Sequence, residues 1–296
     1  MFRRALLLSE FVDTVYVPSR LDIAPGTIGQ LNVAVHVYQA WLGRPPRLSD
    51  LTDDLVLRFL RDYAQDHSAA SVNTKRGRLL ALWRLAVSKG YAKRAPGNIP
   101  KLREPDHPPQ AWRVEELAKL VRHCRCLRGT IARVPRRRWW GSLILAEFCT
   151  GCRITALRST LSADCDLDEG TLIVRGYTQK TKRDQLFRLS DQATAGIRLI
   201  YDAERELVWP WPHCDRWFWT HFRRLAESAG LAIPPGGMNL FQRIRRSAVS
   251  YAACESLELA RRLAGHTSAE ITLRHYVDQQ IAPQHSAVDV LPELDI

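Results

Sequence analysis

LAGHTSAEITLRHYVD, Leu263 to Asp278, sets His266 ten residues ahead of Tyr276 and fills the interval with polar side chains where a buried helix would carry Leu or Val. By itself each residue has an ordinary explanation: a tyrosine packs well at a helix end, and a histidine satisfies a cap or a buried partner. Three other stretches interrupt their surroundings in the same way. CTGCRITAL (149–157) drops Arg153 into an apolar helical run directly after a Thr-Gly break, so its guanidinium must reach solvent or meet an anion. QKTKR (179–183) forms the basic tip of a predicted hairpin, and FQRIRRS (241–247) opens an apolar helix that continues through Ala248 to Cys254.

The whole chain is basic. Its 296 residues carry 43 Lys plus Arg against 31 Asp plus Glu, a net charge of +12, with 46% hydrophobic and 25% charged residues. Composition is therefore globular, and the surplus favours a polyanion, because neutralising phosphates releases condensed counterions. Nucleic acid ranks first and an anionic membrane second. No apolar run approaches the roughly 20 residues of a membrane span. The opening MFRRALLLSEFV only faintly imitates a signal peptide and reads as a helix start in a cytoplasmic protein. Seven cysteines, at 124, 126, 149, 152, 165, 214 and 254, form an odd set that reads as free thiols. HCRC (123–126) and CTGC (149–152) could be combined into a zinc site, but the first spacing is tight and the second lies in an apolar helix; no metal is expected.

PGNIPKLREPDHPP (96–109) holds five prolines and reads as an extended linker. It divides the chain into residues 1–95, the linker 96–109, a second domain 110–279 and a tail 280–296. Ahead of the linker the periodicity is helical. Leu31, Val35, Tyr38 and Leu42 share a face that stops at Gly43; Thr52 or Ser49 caps a helix bearing Leu55, Phe59, Leu60 and Tyr63; a third helix runs from about Ser71 to Lys89. From Ser71 through Arg103 nine basic residues meet no acidic one, against the mixed signs of an ordinary solvated face, which marks Lys75, Arg76 and Arg78 as phosphate contacts. Beyond the linker, 112–125 and 139–157 read as helices, 171–175 and 185–189 as two short strands around a basic turn, and Ala193 onward as helical again, broken by Trp209-Pro-Trp-Pro212. The aromatic group Trp209, Trp211, Trp217, Phe218 and Trp219 is better suited to a core or subunit contact than to base stacking. The sequence contains no GxxxxGK[ST], HExxH, GxSxG or strand-borne GxGxxG motif.

Thr-Gly-x-Arg-x-x-x-Leu, a hairpin lysine, Ile-Arg-Arg-Ser and Leu-x-Gly-His followed by Thr-x-x-x-Tyr occur here in the order found in the tyrosine recombinase family, the phage integrases and their relatives. The chain resembles that family's catalytic domain over about 112–278. Residues 25–95, especially Ser71-Val-Asn-Thr-Lys, resemble its helical core-binding domain. The resemblance implies a mainly α fold with a small antiparallel β-sheet: an N-terminal SAM-like helical bundle and a C-terminal catalytic domain, able to close as a clamp on duplex DNA. It implies that Arg153 and Arg245 hold the non-bridging oxygens of a scissile phosphate, that Lys180 (alternatively Lys182) protonates the departing 5′-oxygen, that His266 hydrogen-bonds the phosphate and that Tyr276 is the nucleophile. Arg243 and Arg246 would be general phosphate contacts. Two positions depart from the pattern: Gln242 stands where the family commonly has His, and Ala156 where it commonly has an acid. Glutamine donates to a phosphate but cannot shuttle a proton.

The chemistry stands on physical grounds as well. Phosphodiester exchange needs a nucleophile, compensation for charge growing on the phosphoryl oxygens and a proton for the leaving alkoxide. Two guanidiniums match phosphate geometry and keep their charge without tuning. A phosphotyrosyl ester conserves the bond energy, so no nucleotide, metal or other cofactor is required. The expected protein is a site-specific recombinase or integrase acting on double-stranded DNA as a homotetramer. A weakened relative that binds DNA without cutting it, or a DNA-relaxing topoisomerase, remain the alternatives. The tail Val277 to Ile296, apolar toward its end at Val288 to Ile296, either docks on a neighbouring protomer or folds on its own domain.

Overall fold

A computed structural model describes residues 6–179, 182–233 and 240–283. The chain forms two compact units that divide between Asp106 and His107.

In the first unit, α1 (Leu8–Phe11) runs into a π-turn over Val12–Tyr16, followed by α2 (Pro25–Leu42), α3 (Asp53–Asp66) and α4 (Ala69–Ser88). The boundaries follow local chemistry. Pro25 occupies the first turn of α2, where its missing N–H costs nothing, and Gly43 ends that helix at φ 69°. Thr52 Oγ1 and Ser68 Oγ accept the N–H groups of Leu55 and Ser71 to start α3 and α4. Leu31, Val35, Tyr38, Phe59, Leu79 and Trp83 then bury one common core. Tyr38 donates to the Asp50 carbonyl at 2.8 Å, and Arg44 grips the Asp50 carboxylate through two 2.7 Å bonds.

Within the proline-rich segment, residues 97–104 are tied to this unit. Gly97 N–H donates to Asp53 at 2.8 Å, Ile99 is buried, and Asn73 bonds both backbone groups of Leu102. Proline fixes the backbone of this stretch without supplying its own donors, and side chains of α3 and α4 hold what is left.

The second unit contains α5 (Val114–Cys124), a hairpin of β1 (Thr130–Ile131) and β2 (Val134–Pro135), α6 (Arg136–Thr150), α7 (Ile154–Arg158), β3 (Cys165–Asp166), β4 (Thr171–Val174), β5 (Gln185–Arg188), α8 (Asp191–Arg198), α9 (Asp215–Ser228), α10 (Phe241–Glu255), α11 (Leu257–Ala264) and α12 (Ala269–Tyr276). Helix α6 lies against α5, α8 and α10 and is the spine of the unit. The strands β3, β4 and β5 form an antiparallel sheet in that order, with Thr171 opposite Arg188 and Val174 opposite Gln185. The two strands expected from sequence are β4 and β5; β3 and a separate hairpin are additional, and β1 to β3 span two residues each, too short for alternation to register. The helical stretch expected over 139–157 divides at its Thr-Gly break into α6 and α7, because Gly151 adopts φ 56° and stops α6.

The aromatic group belongs to this core. Trp209 and Phe218 are fully buried, and Phe222 stacks on Phe241 with ring centroids 3.7 Å apart, whereas Trp217 is 53% exposed. Each buried ring of this size contributes roughly 1.5–3 kcal/mol through apolar burial. All seven cysteines are free thiols. Among the described residues no helix is long and apolar enough to cross a membrane.

Candidate active site

Four sequence-distant segments of the second unit meet at the C-terminal end of α6. Helix α10 presents Gln242 and Arg245 one turn apart. Gly265 ends α11 at φ 64° and turns the chain so that His266 follows directly; a Cβ on Gly265 would stand 3.2 Å from the Gln185 side chain of β5. Tyr276 is the last residue of α12, and Arg153 is the N-cap of α7 just beyond Gly151.

Arg245 is the buried hub, 2% exposed. One Nη donates to the Gly151 carbonyl, the other to the Ala264 carbonyl at 2.7 Å, and the second also lies 3.4 Å from His266 Nε2. Its Cζ stands 5.0 Å from the centroid of the Tyr276 ring, a cation over an aromatic face. Burial pulls the guanidinium pKa down while the Tyr276 oxygen opposes that pull. A guanidinium does not give up its proton in a protein, so it stays charged.

His266 packs against Tyr276 with ring centroids 4.4 Å apart and the planes inclined by 56°. Its Nδ1 lies 3.0 Å from Thr272 Oγ1, whose own hydroxyl donates to the Ser268 carbonyl at 3.2 Å. With that hydroxyl on the Ser268 carbonyl, the threonine oxygen accepts from Nδ1–H, so in the neutral imidazole the lone pair is on Nε2. Burial, followed by the charges of Arg245, Arg153 and His275, pushes the imidazole down to about 4, in agreement with that assignment.

For Tyr276, burial works to raise the phenol pKa. The charge of Arg245, a hydrogen bond with Gln242, the charge of Arg153 and a hydrogen bond with Arg245 outweigh it, and the phenol falls below its ordinary 10. Ser250 fixes the backbone at this point by donating to the Tyr276 carbonyl at 3.2 Å and accepting the Asp278 N–H at 2.8 Å. Arg153 is half-buried, and among the described residues its guanidinium engages no hydrogen-bond or ion-pair partner, which leaves a fixed charge beside the phenol for an incoming anion.

Of the six candidate residues, Arg153, Gln242, Arg245, His266 and Tyr276 come together; Lys180 lies outside the described residues. Lys182 is described, at φ 49°. Arg243 donates to Gln110 at 2.5 Å and lies over Trp112, and Arg246 is half-buried with its Nε unpartnered among the described residues. In the first unit, Arg78 is half-buried and bonds Gln30, and Lys75 is partly buried, which lowers its pKa. Arg76 turns both Nε and Nη2 onto the Ile99 carbonyl, at 2.8 and 2.6 Å. Sequence reasoning gave no role to Thr272, although Thr-x-x-x-Tyr contains it, and none to Ser250 or Glu147. Glu147 was findable by the reasoning that isolates Arg153: it is a charge inside an apolar run.

Neither a protein-family model nor a curated protein sequence matches the chain. Solved structures do. The lambda integrase dimer bound to a COC′ core site is similar at 17% identity, TM-score 0.67, covering 99% of this chain and 81% of that one. The Tn1549 transposon integrase in complex with a circular intermediate DNA gives TM-score 0.69 at 12% identity, covering 92% and 96%. The chain has the tyrosine recombinase fold. The XerH site-specific recombinase bound to palindromic difH substrate shares this fold at 16% identity, TM-score 0.64, covering 86% and 77%. The mainly α tyrosine recombinase architecture expected from the ordered motifs is thus the one observed.

Proposed function

We propose that the chain is a site-specific DNA recombinase or integrase that cuts and rejoins double-stranded DNA through a covalent 3′-phosphotyrosyl intermediate. The observation that carries this reading is the meeting of Arg153, Arg245, His266 and Tyr276 around one phenol, with two permanent cations and a depressed phenol pKa. The similar integrase and XerH structures, solved on DNA, support it.

Arg153 and Arg245 hold the two non-bridging oxygens, and their charge offsets what accumulates there as the phosphoryl group is transferred. Tyr276 Oη attacks phosphorus, the bond from phosphorus to the 5′-oxygen breaks, and the DNA 3′-phosphate becomes esterified to the tyrosine. The phenol proton passes to the neutral imidazole of His266, whose Nε2 carries a lone pair. Lys180 gives its proton to the departing 5′-oxygen. Rejoining reverses each step, with a 5′-hydroxyl of the partner strand attacking the phosphotyrosyl ester. Once it has taken that proton, His266 donates Nε2–H to a phosphoryl oxygen, whose negative charge stabilises the imidazolium. Gln242, bonded to Tyr276, orients the phenol but exchanges no proton. Double-stranded DNA is the partner, recombination proceeds in a homotetramer, and Lys75, Arg78, Arg243 and Arg246 bind backbone phosphates that set register without reading sequence.

A suicide substrate carrying a nick beside the crossover point tests the reading, since loss of the short 5′-hydroxyl fragment traps the intermediate. A detergent-resistant adduct that Tyr276→Phe abolishes is expected. An adduct that survives the substitution, or none from any site that the protein binds, overturns it in favour of a non-cutting DNA binder.

A further inference from the structure

Glu147 is a carboxyl group sealed in the interior between α6 and α10. Its residue is 1% exposed, and its Oε2 has no hydrogen-bond partner among the described residues. Arg245, also almost fully buried, has a matching defect: its Nε is equally unpartnered. Backbone geometry ties the two residues together. The Glu147 carbonyl accepts the Gly151 N–H at 2.8 Å, and the Gly151 carbonyl in turn accepts an Nη of Arg245. The two side chains also act on each other electrostatically, in both directions. Ala156, buried on α7, supplies no carboxyl to this interior. An orphaned buried donor and an orphaned buried acceptor are each costly, and both costs vanish if the two groups meet directly or across one bridging water.

We propose that Glu147 is a positioning residue for Arg245: its carboxyl engages the Nε edge of the guanidinium and, together with the Gly151 and Ala264 carbonyls on the two Nη groups, fixes the plane in which their remaining N–H bonds meet the phosphate. The proposal rests on the recombinase reading and concerns orientation alone. With Nε held, the guanidinium cannot rotate about its final bond, so the fork is set before DNA arrives. Burial holds the carboxyl well above the usual carboxylate range, and Arg245 opposes that shift. A carboxyl kept neutral also leaves the charge of Arg245 undiminished for the phosphate.

The test compares Glu147→Met, which keeps the shape and removes the polar atoms, with Glu147→Gln, which keeps an acceptor oxygen. On the nicked substrate at saturating DNA, the methionine variant should bind as wild type does but form adduct on the order of tenfold more slowly, and the glutamine variant should recover most of the rate. Equal rates in all three proteins, or equal losses in both variants, overturn the proposal. Nitrogen-15 spectra give a readout independent of DNA cleavage and of the stability of the methionine variant. Arg245 Nε–H in the wild type should exchange slowly and shift on Glu147→Gln, and an Nε–H that exchanges at the solvent rate and ignores the substitution overturns the proposal. If the wild type forms no adduct yet Arg245 Nε–H is held by Glu147, the recombinase reading fails while the contact stands.

Discussion

At the scale of single residues, His266 and Tyr276 are displaced from their ordinary proton affinities in ways that can be measured. His266 is near 4 in the folded chain and near 6.5 when unfolded, so between those values the unfolded chain binds a proton that the folded chain refuses. Folding stability should therefore fall as pH drops from 6.5 to 4, and His266→Gln should flatten that part of the curve in denaturant titrations. Tyr276 is displaced in the same direction, so its contribution to stability also rises with pH, in the alkaline range. Gln242 helps lower its phenol pKa, and Gln242→Ala should move the alkaline rise of the cleavage rate to higher pH without changing the affinity for DNA. An unmoved profile would show that the arginines alone set the phenol.

At the scale of elements, α6 and its glycine stop decide where the charges go. Gly151 holds φ 56°, a Cβ there would stand 3.2 Å from Leu263, and its carbonyl anchors Arg245. Gly151→Ala should cost about 1–2 kcal/mol of stability from the left-handed backbone, read as a lowered denaturant midpoint. It should also slow adduct formation, because the anchor of Arg245 shifts with it. The Thr-Gly break was visible in the sequence, as were the periodic helices of the first unit and the polar run from His266 to Tyr276. Those signals are local: a cap, a stop, a repeated face. The sheet was only half legible, because strands of two residues carry no pattern and owe their pairing to distant chain. Thr272 and Ser250 were opaque for a related reason. Their hydroxyls matter through a histidine and a backbone carbonyl that only the folded chain brings near, and spacing alone does not tell a helix-surface hydroxyl from one that fixes a tautomer.

At the scale of the whole molecule, a net charge of +12 is distributed over two units that divide between Asp106 and His107. If Lys75 and Arg78 contact phosphates, replacing both with Ala should reduce the slope of log affinity against log salt by about 2, since each contact contributes roughly 0.9. Arg76→Ala should change that slope little and lower thermal stability instead, because its guanidinium holds the Ile99 carbonyl. In the proposed reaction, electrostatics of this kind brings DNA to the protein and the chemistry depends on one phenol. Mass spectrometry of the trapped adduct, digested with protease and nuclease, locates the bond itself. The expected product is a peptide containing Tyr276 with a nucleotide joined through its 3′-phosphate. A nucleotide on any other residue, or one joined through a 5′-phosphate, would contradict the proposed assignment of this site.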